Sequence, residues 1–124
     1  NAMVGYTTFG TNDLEKAKAF YDALLGEFGA KRIMDTGRLV LWGRELGNGM
    51  FAICTPYDKE KATPGNGAMV AFNMESRANV DKLHAKALSL GASDEGAPGE
   101  RGPGFYGAYF RDADGNKFCG FCMG

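Results

Sequence analysis

Cys119 and Cys122 are separated by Gly120 and Phe121, the Cys-x-x-Cys spacing used in other settings for zinc or thiol redox work. The surrounding segment is apolar and β-rich, and on a strand residues i and i+3 point to opposite faces. Their Cα atoms would then stand roughly 10 Å apart, too far for a disulfide, and a zinc knuckle would need a turn here. His84 is the single histidine of the chain. It lies one position off the apolar stripe of a helix, where a half-exposed side chain is expected. General acid–base work would therefore fall to Tyr6, Tyr106, Tyr109 or a carboxylate. Asp112 and Asp114 flank Ala113 beside Gly115-Asn116. That run is too short for a calcium loop and lacks the distal glutamate, so it reads as a hairpin turn. Gly99-Glu100-Arg101-Gly102-Pro103-Gly104 neither follows a strand nor opens a helix, so it reads as a mobile loop rather than a phosphate cradle. Arg101 there, with Arg38 and Arg44, could meet an anionic ligand or simply be solvated.

The elements that must position these groups follow from periodicity. Val4 to Thr11 is short and β-rich, and Thr11-Asn12-Asp13 supplies helix-capping side chains. From Asp13 to Phe28 apolar residues recur at Leu14, Ala17, Phe20, Tyr21, Leu24, Leu25 and Phe28, one stripe of an amphipathic helix that Gly29 ends. Lys31–Thr36, Arg38–Arg44 and Met50–Thr55 are strand candidates, parted by Gly37 and by the turn Gly47-Asn48-Gly49. Tyr57 to Gly67 is a polar loop. Ala68 to Met74 is again β-like, and Ala78 to Leu90 has helical spacing and stops at Gly91. Gly96 to Gly104 reads as a Gly/Pro-rich loop, followed by strands over Phe105–Arg111 and Lys117–Met123.

Composition bounds the function. With 124 residues the chain is expected to form one domain over 1–124. Fourteen basic against fifteen acidic residues, a net charge of −1, argue against a nucleic-acid footprint or an anionic-membrane anchor. No run approaches the ~18 apolar residues of a membrane span. Asn1 and Ala2 ahead of Met3 read as a cloning remnant, and nothing resembles a signal peptide. Three cysteines, an odd count, suggest reduced thiols in the cytoplasm. The 19 glycines are not periodic but fall between apolar runs, as many strands joined by tight turns require.

The chain repeats itself. Tyr6-Thr7-Thr8-Phe9 aligns with Met69-Val70-Ala71-Phe72, and Phe28-Gly29-Ala30 with Leu90-Gly91-Ala92. Gly47-Asn48-Gly49-Met50-Phe51-Ala52-Ile53-Cys54 aligns with Gly115-Asn116-Lys117-Phe118-Cys119-Gly120-Phe121-Cys122. Two β-α-β-β-β units follow, about 3–56 and 67–123, with a linker over 57–66. Each is too small to bury much surface alone, so they are expected to share one core.

Two stretches carry a family likeness. Tyr6 to Gly26, Y-T-T-F-G-T-N-D-L-E-K-A-K-A-F-Y-D-A-L-L-G, resembles the opening of the vicinal oxygen chelate superfamily, the glyoxalase, bleomycin-resistance and extradiol-dioxygenase group. Gly104 to Cys119, G-F-Y-G-A-Y-F-R-D-A-D-G-N-K-F-C, resembles that group's G-Y-Y-x-x-Y-x-x-D-P-D-G-N-x-x-E, with Ala113 in place of proline. The resemblance implies an α+β fold in which tandem β-α-β-β-β units form a U-shaped, incompletely closed eight-stranded barrel with helices outside. It also implies a cleft in which side chains of the first and last strand of each unit hold a metal. Those positions fall here on Tyr6, Phe51 (through the internal repeat), Met69 and Cys119. Hard divalent ions want carboxylate and imidazole, and zinc needs about three good donors. Phenyl and thioether groups make an apolar lining instead, where a dication is costly. A shift of one residue brings in Gly5, Thr7, Met50, Ala52, Ala68 or Val70, none of them a ligand set.

The reading is therefore a binder of a small apolar or aromatic molecule, with no metal cofactor expected. Tyr6, Thr8, Trp42, Phe51, Met69, Tyr106, Cys119 and Phe121 are the expected lining of the cleft. Strand parity points Cys119 into the cleft, while Cys54 and Cys122 are expected under the helices as small hydrophobes. One alternative is a divergent lyase- or dioxygenase-type enzyme using Cys119, a tyrosine such as Tyr6, or an atypical divalent metal site. Another is a non-catalytic interaction module with a filled cleft. A homodimer is expected, with neither nucleic acid nor membrane as partner.

Overall fold

The computed structural model describes residues 3–124; Asn1 and Ala2, read above as a cloning remnant, lie outside the described residues. The chain forms two compact units that meet in sequence between Thr63 and Pro64. The first runs β1 (Tyr6–Gly10), α1 (Leu14–Gly26), β2 (Lys31–Asp35), β3 (Leu39–Gly43) and β4 (Met50–Cys54). The second runs β5 (Val70–Asn73), α2 (Arg77–Ser89), β6 (Ser93–Gly102), β7 (Phe105–Arg111) and β8 (Lys117–Met123). Each unit folds its four strands into one sheet, in the orders β1-β4-β3-β2 and β5-β8-β7-β6. The first and last strands of each unit pair in parallel and the other neighbours are antiparallel. The protein is thus α+β, a tandem β-α-β-β-β chain whose described residues form eight strands in two sheets. Neither helix is long and apolar enough to cross a membrane.

Local chemistry sets the helix ends. The Asp13 side chain accepts from the Lys16 amide at 3.1 Å and caps α1, while Ser76 accepts from the Asn79 amide at 3.1 Å and caps α2. Both helices are followed by a glycine in the left-handed region, Gly29 at φ +83° and Gly91 at φ +102°, a backbone that other residues adopt at a cost. α1 buries Ala17, Tyr21, Leu24 and Leu25. Beneath it sit Val40, Trp42, Phe51 and Ile53, each large side chain worth about 1.5–3 kcal/mol in apolar area removed from water. α2 buries Val80, Leu83, His84 and Ala87. Gly120 lets it approach β8: a Cβ there would stand 2.5 Å from Leu83 Cδ2.

Two expectations about the second unit need correction. His84 is buried, at 6% exposure, with Nε2 3.0 Å from Asp94 Oδ1. A polar partner from β6 lets the ring sit inside rather than at the helix margin. The Gly/Pro-rich segment is no loop either. Residues 93–102 form a strand on the outer edge of the sheet, paired with β7 through several register shifts. An edge position and bulges are where a sheet tolerates Pro98 and glycines. The turn after β7 is as expected: Asp112 Oδ1 accepts from the amides of Asp114 and Asn116, at 3.0 and 2.9 Å.

Candidate functional site

Because side chains alternate along a strand, each sheet has one face toward its own helix and one turned away from it, called the open face below although Leu41, Met50, Ala52 and Cys119 on it are buried. In the first unit the helix face is fixed by contacts. The Trp42 indole donates to Asp22 Oδ1 of α1 at 2.9 Å, and the Tyr21 ring lies 5.6 Å from Trp42 and 5.1 Å from Phe51. The open face then carries Tyr6, Thr8, Leu39, Leu41, Met50, Ala52 and Cys54. Leu41, Met50 and Ala52 form an apolar cluster against which Leu39 and Ile33 pack. Tyr6 is paired with Met50 and is 53% exposed. Tyr6, Met34, Leu39, Leu41, Leu46 and Met50 contribute to the lining of a hollow of about 310 Å³. Thr8 Oγ1 lies 3.3 Å from Cys54 Sγ on the same face.

In the second unit Phe72, Phe110 and Phe118 stack toward α2, and the Tyr106 hydroxyl donates to Asp81 Oδ1 of that helix at 2.6 Å. The acceptor carboxylate pushes the Tyr106 phenol up. The open face carries Cys119 and Phe121, Tyr109 paired with Cys119, and Phe105 stacked on Phe121 at 5.4 Å between centroids. Met69, Arg111 and Lys117 help to line an open hollow of about 550 Å³ with the segment 64–68. Lys117 Nζ and Arg101 Cζ each lie 5.5 Å from the centre of the Tyr109 ring.

Of the eight expected lining residues, Tyr6 and Thr8 share the open face of the first sheet. Cys119 and Phe121 share that of the second, and Met69 stands just before β5. Trp42, Phe51 and Tyr106 are on the helix faces, and this corrects the sequence reading. The indole and the phenol each have a polar tip whose partner, Asp22 or Asp81, is on a helix, and Phe51 completes an aromatic cluster with Tyr21. The Phe51 error has a further cause. The ladders pair Tyr6 with Met50 and Val70 with Phe118. With Tyr6 equivalent to Met69, the counterpart of Cys119 is then Ala52, one residue beyond Phe51. The same shift puts Cys54 on the open face instead of under α1. Arg44, weighed as an anion contact, donates from Nε and Nη2 to the Phe28 carbonyl at the end of α1, and Arg38 donates to the Thr55 carbonyl.

With Ala52 in place of Phe51, the four positions that the resemblance assigns to a metal hold a phenol, a methyl group, a thioether and a thiol. Burial pushes the Cys119 thiol up, which keeps it protonated at neutral pH. Cys119 is 1% exposed. Among the described residues no three His, Cys, Asp or Glu side chains come together as a metal would need. This donor set does not fit a divalent ion. The arrangement can instead bury a hydrocarbon surface, with Tyr6 and Thr8 hydroxyls at hand for orientation.

A duplicated β-α-β-β-β chain, with each helix on one side of its own sheet, defines a fold class. The chain belongs to the Glyoxalase/Bleomycin resistance protein/Dioxygenase superfamily, whose family model matches residues 3–119. It is 36% identical to a glyoxalase/bleomycin resistance protein from Albidiferax ferrireducens T118, with 99% of this chain and 100% of that one covered at a TM-score of 0.89. Two further solved structures show the fold alone. A glyoxalase/bleomycin resistance protein/dioxygenase family enzyme from Burkholderia phytofirmans PsJN is 23% identical, with 98% and 99% covered and a TM-score of 0.78. Lactoylglutathione lyase from Agrobacterium tumefaciens is also 23% identical, with 98% and 94% covered and a TM-score of 0.71. No curated protein matches the chain.

Proposed function

We propose that this protein binds a small apolar or aromatic molecule on the open face of its sheets and does so without a divalent metal. The observation that carries the reading is the chemistry of the open faces. Where the family resemblance implies metal ligands, Tyr6 and Ala52 of the first unit and Met69 and Cys119 of the second offer one phenol hydroxyl and otherwise carbon and sulfur, and in the first unit Tyr6 shares a hollow with Leu39, Leu41 and Met50. Burying hydrocarbon there is worth about 25 cal/mol per Å², which suffices for sequestration and needs no nucleophile. A protonated, buried Cys119 supports the binding reading over thiol catalysis.

The proposal includes a homodimer, supported by apolar side chains exposed at the outer strand β1 and just before it, Tyr6 and Val4. Light scattering would read a mass near 13.3 kDa for one chain or twice that for two. It also includes a reducing, cytoplasmic compartment, supported by the free thiols of Cys54, Cys119 and Cys122.

The test pairs elemental analysis of the purified protein with titration of methyl 2-naphthoate, a flat neutral probe. Saturable one-to-one binding, lost on Leu41→Asp with the fold intact by circular dichroism, is the expected result. A stoichiometric divalent ion whose removal abolishes binding, or no saturable binding at all, would overturn the reading.

A further inference from the structure

The open face of the second sheet has a feature that an apolar lining does not explain. Arg101, from β6, and Lys117, from β8, both approach the ring of Tyr109 on the intervening strand β7, each 5.5 Å from its centre. Neighbouring arginines have acidic partners: Arg111 Nε is 3.0 Å from Glu95 and Arg77 Nη2 is 2.8 Å from Glu100. Among the described residues no carboxylate stands within 4 Å of Arg101 or Lys117 in an ion pair. Arg101 donates one N–H to the Ala97 carbonyl, which leaves most of its five donors free.

Glycines seat this arginine. The side chain folds back along β6, so that a Cβ at Gly99 would stand 2.9 Å from Nη1 and one at Gly96 would stand 3.2 Å from Nη2. Gly96 would also press on the Tyr109 ring, at 3.1 Å. Two glycines in an edge strand cost conformational entropy. Here they form a trough that holds a guanidinium against an aromatic ring, with no acid to neutralise it. The ring lies beside Cys119 and on the same face as the stacked Phe105 and Phe121.

We propose that Arg101 and Lys117 at the Tyr109 ring form an anion-binding end to this face, so that the molecule bound is an aromatic or apolar acid. The hydrocarbon body lies on Phe121 and Phe105, and its carboxylate meets a cation that flanks the Tyr109 ring, Arg101 or Lys117. Charge-assisted hydrogen bonds are the stronger kind, and Arg and Lys left without acids need no rearrangement to make them. The inference rests on the binding reading above and names the ligand class for it.

The experiment compares 2-naphthoate with methyl 2-naphthoate, which differ in charge but share the ring system, by calorimetry at low and high salt. On the wild-type protein the acid should bind roughly threefold to tenfold tighter than the ester, less so at high salt. The double variant R101Q/K117Q should bring that ratio near one, with an unchanged melting temperature showing that it folds. Gly99→Ala, which displaces Arg101 without removing a charge, should narrow the ratio in part. Equal affinity of acid and ester on the wild-type protein overturns the anion end and leaves the apolar reading standing. So does a preference that survives in the double variant. Acid binding that needs Arg101 and Lys117, with no ester binding at all, keeps the anion end and overturns the apolar reading. Binding of neither overturns both.

Discussion

Asp22 holds two partners on one carboxylate, and its substitution separates them. Oδ1 accepts from the Trp42 indole at 2.9 Å, and the two oxygens accept from Arg32 Nε and Nη2 at 3.0 and 2.7 Å. Trp42 is 1% exposed, and Asp22→Ala removes the carboxylate that accepts from its N–H. Stranding a buried donor costs about 1–3 kcal/mol. The Arg32 pair is solvent-screened, with side chains 38% and 44% exposed, and adds little. Asp22→Asn keeps an oxygen for the indole and should recover most of the loss, while Arg32→Gln breaks only the ion pair. Trp42 is the only tryptophan in the chain, so its fluorescence through a urea titration reports this site directly. With a slope of about 1–3 kcal/mol per M, a loss of ~2 kcal/mol moves the midpoint by roughly 0.7–2 M. Arg32→Gln should stay near the wild-type midpoint, Asp22→Asn slightly below it and Asp22→Ala well below. An Asp22→Ala midpoint no lower than that of Arg32→Gln would refute the assignment of Trp42 to the helix face.

Further outcomes follow from the same coordinates. Gly120→Ala, which sets a methyl 2.5 Å from Leu83 Cδ2, should lower stability by about 1–3 kcal/mol in chemical denaturation. Asp22, Asp35 and Asp94 are held below the usual carboxylate range, first by Arg32, by the Gly37 amide and by the Gly96 amide respectively. Groups depressed in the folded state contribute stability above an unfolded value of about 3.8 and lose it as pH falls through their folded values. The melting temperature should therefore hold from neutrality to about pH 5 and drop below about pH 4; equal melting at pH 3 and pH 7 would contradict this. Because burial pushes its thiol up, Cys119 should be alkylated by iodoacetamide after the partly exposed Cys54, and mass mapping that finds Cys119 first would count against the protonated thiol.

The architecture was legible because the repeat and the punctuation agree. Gly29 and Gly91 close the two helices, and Asp13 opens the first with a side-chain cap. What escaped the sequence was parity and company. Phe51 and Ala52 are neighbours in an apolar run, and only the β1–β4 ladder decides which of them faces α1. Trp42 and Tyr106 look like pocket aromatics until their polar tips are traced to Asp22 and Asp81, acids too distant in sequence for spacing to reveal. Residues 93–102 read as a loop because glycine and Pro98 are loop signals, yet bulges on an outer strand tolerate both. A better signal was present: two glycines, Gly96 and Gly99, make room around one arginine. What spacing alone hid there is a place where a residue acts by lacking a side chain.

The parallel pairing of β1 with β4 also bears on how the chain is made. β1 is among the first residues to emerge in its half, but its partner in the sheet is the last strand of that half, with Tyr6 waiting for Met50. At roughly 5–20 residues per second the delay is a few seconds. During it a capped helix can form while a bare ribbon edge stays open to any passing strand. β5 and β8 repeat the interval in the second half. A chain stalled just short of Met50 therefore carries β1 with its pairing edge still without a partner strand.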